Sequence, residues 1–270
     1  MNKVLLKISF SLFFVLIGAF IGCSDVSTPI ASRWTDSSIV IDGKINDWVT
    51  ATTSDKRTKI SGGFQNDSDY LYILLRPTKQ LLRQAMMFGF TIWFDVEGGN
   101  KKRLGIRFPI GMMNYTHGRF SPMEMNGQLS DILKHRLSEM LQEFDIVYPE
   151  EDDQFRFSKY LRGGIDIALN DSLEEAVYEM KIPLHKIEPQ DIPLNISSLS
   201  SSISVGIELG EFDRSKVREQ MPDRPDGGIP PGGMGGGNKR GGGTFPMGGM
   251  AQQNIALDAW FNVQLSSGHF

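Results

Sequence analysis

The stretch Gly89-Phe90-Thr91-Ile92-Trp93-Phe94-Asp95 sets Phe90, Ile92 and Phe94 on one face of an extended chain and Thr91, Trp93 and Asp95 on the other. The same period of two recurs along the sequence. Leu71, Ile73 and Leu75 alternate with Tyr70, Tyr72 and Leu74. Ile203, Val205, Ile207 and Leu209 alternate with Ser204, Gly206, Glu208 and Gly210. Near the end, Ile255, Leu257, Ala259, Phe261, Val263 and Leu265 alternate with Ala256, Asp258, Trp260, Asn262 and Gln264. Strands are also expected near residues 101–108, 164–169 and 176–182. So many half-buried strands predict an all-β fold, a two-sheet antiparallel β-sandwich of jelly-roll-like form over residues 39–270.

Two stretches break the pattern. Leu129, Ile132, Leu133, Leu137, Met140, Leu141 and Phe144 recur at helical spacing, predicting one added amphipathic helix over 129–144 with Ser130 as its cap. Residues 222–250 are dominated by glycine, with prolines and a few methionines. Ordering so many glycines costs more than this segment can recover by burial, which predicts a long disordered loop between two strands. Loop closure entropy rises only slowly with length, so a sandwich tolerates it.

The amino-terminal end has its own grammar. Lys3 and Lys7 precede an uncharged apolar run over residues 8–21, which ends at Gly22-Cys23. This is the pattern of a secretory signal over 1–22, too short for a membrane-spanning helix. Cys23 sits where lipoprotein processing would cut and acylate, with Phe20-Ile21-Gly22-Cys23 resembling a lipobox that carries Phe at its first position. The expectation is a bacterial lipoprotein, anchored through Cys23 in the cell envelope at the outer membrane or periplasmic face. Residues 23–38 then read as a lipidated tether. The alternative is an ordinary cleaved signal with an incidental cysteine. Cys23 is the sole cysteine, which rules out a disulfide within the chain. Lysines 3 and 7 leave with the signal, so 28 basic residues against 32 acidic become 26 against 32, moving the net charge from −4 to −6. An acidic chain without a basic tract argues against nucleic acid as a partner.

The segment Ile39-Val40-Ile41-Asp42-Gly43-Lys44-Ile45-Asn46-Asp47-Trp48 resembles the opening of the family 9 carbohydrate-binding modules. Asn66-Asp67-Ser68-Asp69-Tyr70-Leu71-Tyr72-Ile73 and the Gly89–Asp95 strand are similar to two further motifs of that family, in the same order. The resemblance implies a non-catalytic sandwich that binds glycans or sugar ends by stacking rings on aromatic side chains, with calcium in some members. The helix and the glycine-rich loop depart from the basic module.

Trp93 and Trp260 are the candidate stacking residues, since each lies opposite its strand's apolar row beside polar neighbours: Thr91 and Asp95 for one, Asp258, Asn262 and Gln264 for the other. Tyr72 is a third candidate for the same surface. A second reading has the helix or another layer covering both indoles. Trp48 is expected in the core, plugging one end of the sandwich. Asp67 and Asp69 are candidate calcium ligands near a turn, against the ordinary use of Asn and Asp in turns. The acid run Glu150-Glu151-Asp152-Asp153 reads as a solvated loop. The histidines 117, 135, 185 and 269 have no metal spacing, and the sequence contains neither a nucleophile elbow nor a phosphate loop, so no enzyme is expected. The alternative to a glycan-binding protein is an envelope assembly or protein-interaction lipoprotein that docks a partner on the sandwich and the glycine-rich loop, with Met234, Phe245, Met247 and Met250 as apolar contacts.

Overall fold

The computed structural model describes residues 29–48, 53–55, 60–116, 130–159, 163–171, 176–197, 202–210 and 257–268. The signal, Cys23 and the glycine-rich stretch fall outside these residues, as do the contacts expected of Met234, Phe245, Met247 and Met250. In chain order the elements are β1 (Ile30–Ala31), β2 (Arg33–Trp34), β3 (Thr53–Asp55), β4 (Ile60–Asn66), β5 (Tyr70–Arg76), α1 (Lys79–Phe88), β6 (Phe90–Asp95) and β7 (Leu104–Arg107). They continue with α2 (Met112–Tyr115), α3 (Ser130–Met140), β8 (Glu143–Tyr148), β9 (Asp153–Ser158), β10 (Asp166–Asp171), β11 (Ala176–Pro183), β12 (Ser202–Leu209) and β13 (Asp258–Gln264).

The strands form two sheets. One has seven strands in the order β1-β13-β12-β6-β7-β8-β9, and the other has six, β10-β11-β5-β4-β2 with β3 also on β4. The expected sandwich is the observed fold. Phe90, Ile92 and Phe94 of β6 and Ile203, Val205 and Ile207 of β12 point inward from the first sheet. Leu71, Ile73 and Leu75 of β5 and Tyr178, Met180 and Ile182 of β11 meet them from the second. Phe90 and Tyr178 close the interface ring to ring at 5.3 Å, edge on. Each such side chain contributes about 1.5–3 kcal/mol by leaving water.

Three expectations need correction. The helix predicted to reach Phe144 ends at Met140, because from Phe144 the chain switches to period two: Phe144 and Ile146 are fully buried in the core as part of β8. The tether predicted to run free to Ser38 instead supplies β1 and β2, which pair with β13 and β4 respectively. Both pairings are parallel, so the sheets are mixed and not purely antiparallel. A junction of side chains locks this crossing in place. Asn66, wholly buried, accepts from Ser32 Oγ and Ser266 N and donates to the carbonyls of Asp67 and Ser266. Helix α1, which the strand pattern obscured, is capped by Thr78 Oγ1 accepting from Leu81 N. It stops at Gly89, where φ is 97° and a Cβ would lie 2.6 Å from the Ile110 carbonyl oxygen.

The outer face of the six-stranded sheet is closed by residues 39–48. Ile39 and Trp48 pack there on Tyr72, Leu74 and Val177 as a second small core, so Trp48 is buried as expected but on a sheet face and not at an end of the sandwich. Its polar pivot is Glu179 of β11, fully buried. One carboxylate oxygen accepts from the Trp48 indole at 2.5 Å, and the other from the backbone amides of Gly43 at 2.6 Å and Asp42 at 3.0 Å. Gly43 has φ 81° and no room for a Cβ, which would sit 2.9 Å from Asn170 Cβ. The Asp-Gly turn and the tryptophan after it therefore form one receptor for a single carboxylate. Burial pushes the Glu179 carboxyl above its ordinary range, against the pull of these three donors.

Glu179→Ala should leave three donors stranded and lower stability by about 3 kcal/mol or more. Glu179→Gln should recover only part of the loss, because its amide turns a donor toward donors. Urea unfolding of the three proteins measures both.

Candidate functional site

The outer face of the seven-stranded sheet carries the side chains that the core does not use. The strand registers place them in cross-strand rows. One row runs Val147 (β8), Gly105 (β7), Trp93 (β6), Gly206 (β12), Trp260 (β13). The next runs Arg156 (β9), Asp145 (β8), Arg107 (β7), Thr91 (β6), Glu208 (β12), Asp258 (β13). Trp93 and Trp260 thus share one face, as their alternation with apolar residues predicts, and one glycine, Gly206, separates them.

The glycines decide how the indoles lie. A Cβ on Gly105 would stand 2.4 Å from Trp93 Cζ3, and one on Gly206 would stand 2.9 Å from two atoms of the Trp260 ring. Each indole therefore leans across the bare backbone of the adjacent strand, both in the same direction. The rings differ in exposure. Trp260 is half-buried, whereas Trp93 is only 4% exposed.

Lys102, just before β7, stands over the buried ring. Its Nζ stands 5.7 Å from the centroid of the Trp93 ring, 3.0 Å from Glu208 Oε2 and 3.6 Å from Asp258 Oδ2. The Trp93 indole donates to the same Glu208 oxygen at 2.5 Å. Partial burial opposes the lysine's charge, but the Glu208 and Asp258 carboxylates outweigh it and hold the ammonium above its usual range.

The charged row is largely satisfied within the protein. Asp145, fully buried, accepts from Arg156 Nε at 2.8 Å and Gln154 Nε2 at 2.7 Å, with Arg107 Nη1 3.9 Å away. Arg107 Nε also reaches Thr91 Oγ1 at 3.3 Å. Charge on this side belongs to the scaffold, and the groups beside Trp260 on this face are Asp258, Asn262 and Glu208.

Asp95 and Tyr72 do not take the places expected of them. Asp95 is 1% exposed, and its oxygens accept from the amides of Glu97 and Lys101 and pair with Arg103 Nε at 3.2 Å. It shapes the turn after β6, where a short acidic side chain can bind its own following backbone. Tyr72 lies on the other sheet, 1% exposed beneath residues 39–48, and donates to Asp67 Oδ2 at 2.8 Å. Alternation within a strand does not say which sheet the strand joins.

At the predicted calcium position, Asp67 Oδ1 accepts from the amides of Asp69 and Tyr70, each at 2.7 Å, while Asp69 Oδ1 lies 3.1 Å from His185 Nε2. Among the described residues no three histidine, cysteine or acidic side chains gather as a metal site. The acid run sits at the exposed tip between β8 and β9, with Asp153 opening β9. Lys102 and Arg107 escaped sequence reading, since their place near Trp93 depends on which strands pair. Glu208 was half legible, because it alternates with Ile207 and Leu209.

Gly105→Ala should cost about 1–3 kcal/mol, because the buried Trp93 ring has nowhere to go. Gly206→Ala should cost less, since the half-exposed Trp260 ring can lift. Denaturant midpoints of the two variants test that order.

No family model matches the chain, and no curated protein matches it. Among solved structures, the chain is similar to a carbohydrate binding module family 9 from Caldicellulosiruptor kristjanssonii in complex with cellotriose, at 13% identity and a TM-score of 0.33, covering 70% of this chain and 80% of that one. A second structure of a module of that family from the same organism, in complex with glucose, matches at 13% identity and a TM-score of 0.34, covering 70% and 81%.

Proposed function

We propose that this chain is an exported, lipid-anchored binding protein that stacks a glycan on the outer face of its seven-stranded sheet. The observation that carries the reading is the row Gly105-Trp93-Gly206-Trp260, which lays the half-exposed Trp260 ring flat along the sheet instead of upright in a core. A pyranose presents an apolar face of C–H groups and a rim of hydroxyls. A flat indole suits the first, and Asp258, Asn262 and Glu208 at its edges suit the second. In this role the protein holds its ligand without transforming it. The signal and Cys23 support attachment to an envelope membrane, where two or three acyl chains would hold it firmly.

A glycan screen of the purified protein, with and without calcium, tests the reading. Trp260→Ala should weaken binding to any glycan found by roughly tenfold or more. Its melting temperature should stay within about 5 °C, because the ring packs on one side only. Loss of the fold in that variant would place the ring in the scaffold and remove the site. Cys23→Ala should move the protein from the membrane fraction to the soluble one and abolish incorporation of labelled fatty acid.

A further inference from the structure

The two indoles of the proposed site are not equally available, and a lysine ammonium stands over the less available one. Trp93 and Trp260 sit on strands two apart in the sheet, β6 and β13 with β12 between, a separation of roughly 10 Å. That is broader than one pyranose ring, so a sugar on Trp260 leaves Trp93 for a neighbouring unit of the same chain. Yet Trp93 is 4% exposed, and its indole lies beneath the ammonium of Lys102. Lysine is long and flexible, and Lys102 retains 34% of its side-chain exposure, so it leads to solvent and is not wedged in a core. What holds it over the ring is charge: Glu208 at 3.0 Å and Asp258 at 3.6 Å, both themselves partly exposed. Contacts of that kind are individually weak and are screened by salt.

Resting on the glycan reading of this face, we propose that Lys102 is a displaceable cover that sets how many sugar rings the face accepts. With Lys102 paired to Glu208 and Asp258, Trp260 alone is open and a single terminal unit is held. With Lys102 swung toward solvent, Trp93 becomes a second stacking position and the ligand is an extended oligosaccharide lying across β12. The swing also frees Glu208 and Asp258 to accept from sugar hydroxyls, so the ligand replaces the ammonium as their partner. Lys102 is in this sense a specificity-determining residue, which sets the preference for chain length.

Oxidative footprinting of the full chain, read by mass spectrometry at Trp93, separates the cover from the sugar. Trp93 should be protected in the wild type and in Lys102→Arg, which keeps the cation, and should become reactive severalfold in Lys102→Ala. Titration with a monosaccharide and an oligosaccharide of the same unit then tests the count. Lys102→Ala should raise the ratio of oligosaccharide to monosaccharide affinity about 3- to 10-fold. Sodium chloride near 1 M, where the screening length is about 3 Å, should give the wild type a similar gain and Lys102→Ala none. Protection of Trp93 that persists in Lys102→Ala overturns the cover. An exposed Trp93 without an oligosaccharide gain, in a protein that does bind sugar, overturns the counting role. A wild type that binds no sugar, together with an exposed Trp93 in Lys102→Ala, supports the cover and overturns the glycan reading on which the counting rests.

Discussion

Each sheet of a sandwich has two faces, and only one of them can pack against its partner. Everything distinctive about this molecule follows from how the leftover faces are treated. On the six-stranded sheet the outer face bears Tyr72, Leu74 and Val177, which cannot stay in water without cost, so the chain lays residues 39–48 over them. That covering segment has no ladder of its own to satisfy its amides. The buried carboxylate of Glu179 does so instead, drawing in the Asp42-Gly43 turn and the Trp48 indole together. On the seven-stranded sheet the outer face is surfaced by charge and by two indoles, and among the described residues Lys102 alone is seen with its charge over one of them.

The two tryptophan environments show the same residue type serving opposite ends. Trp48 stands in a small core, with its polar edge given to a buried acid. Trp93 and Trp260 lie along the sheet, which is possible only because Gly105 and Gly206 leave the neighbouring backbone bare. A β-branched residue at either glycine would suit a strand better by intrinsic preference. Local preference has yielded there to the shape of the face, the kind of exception that marks a position shaped by more than folding.

How far the sequence disclosed this can be argued element by element. The strands with strict alternation, β5, β6, β12 and β13, are legible because one row of each supplies the apolar face of the main core, although both faces of β5, β6 and most of β12 are buried. The end of α3 was misjudged because Phe144 fits a helical spacing and a strand spacing equally well, and burial in β8 decides it. Residues 30–34 read as tether because two-residue strands have no period to display. For the candidate site, alternation placed Trp93, Trp260, Glu208 and Asp258 on outward positions. It was silent about pairing, which brings Lys102 to Trp93 and sends Tyr72 to the opposite side of the molecule. Asp95 was misplaced for a local reason: a carboxylate just before a turn finds its own backbone first.

The crossing of residues 30–34 between the sheets bears on mechanical load. Ile30 and Ala31 hydrogen-bond in parallel to Val263 and Gln264 of β13, the strand that also carries Trp260. For a domain held from its amino-terminal side and tugged at that indole, force enters at β1 and leaves through the strand beside it. Between handle and hook lie a few backbone hydrogen bonds, the Ser32–Asn66–Ser266 junction and the packing of Ile30 against the core. A pull at Trp260 would strain this short edge first.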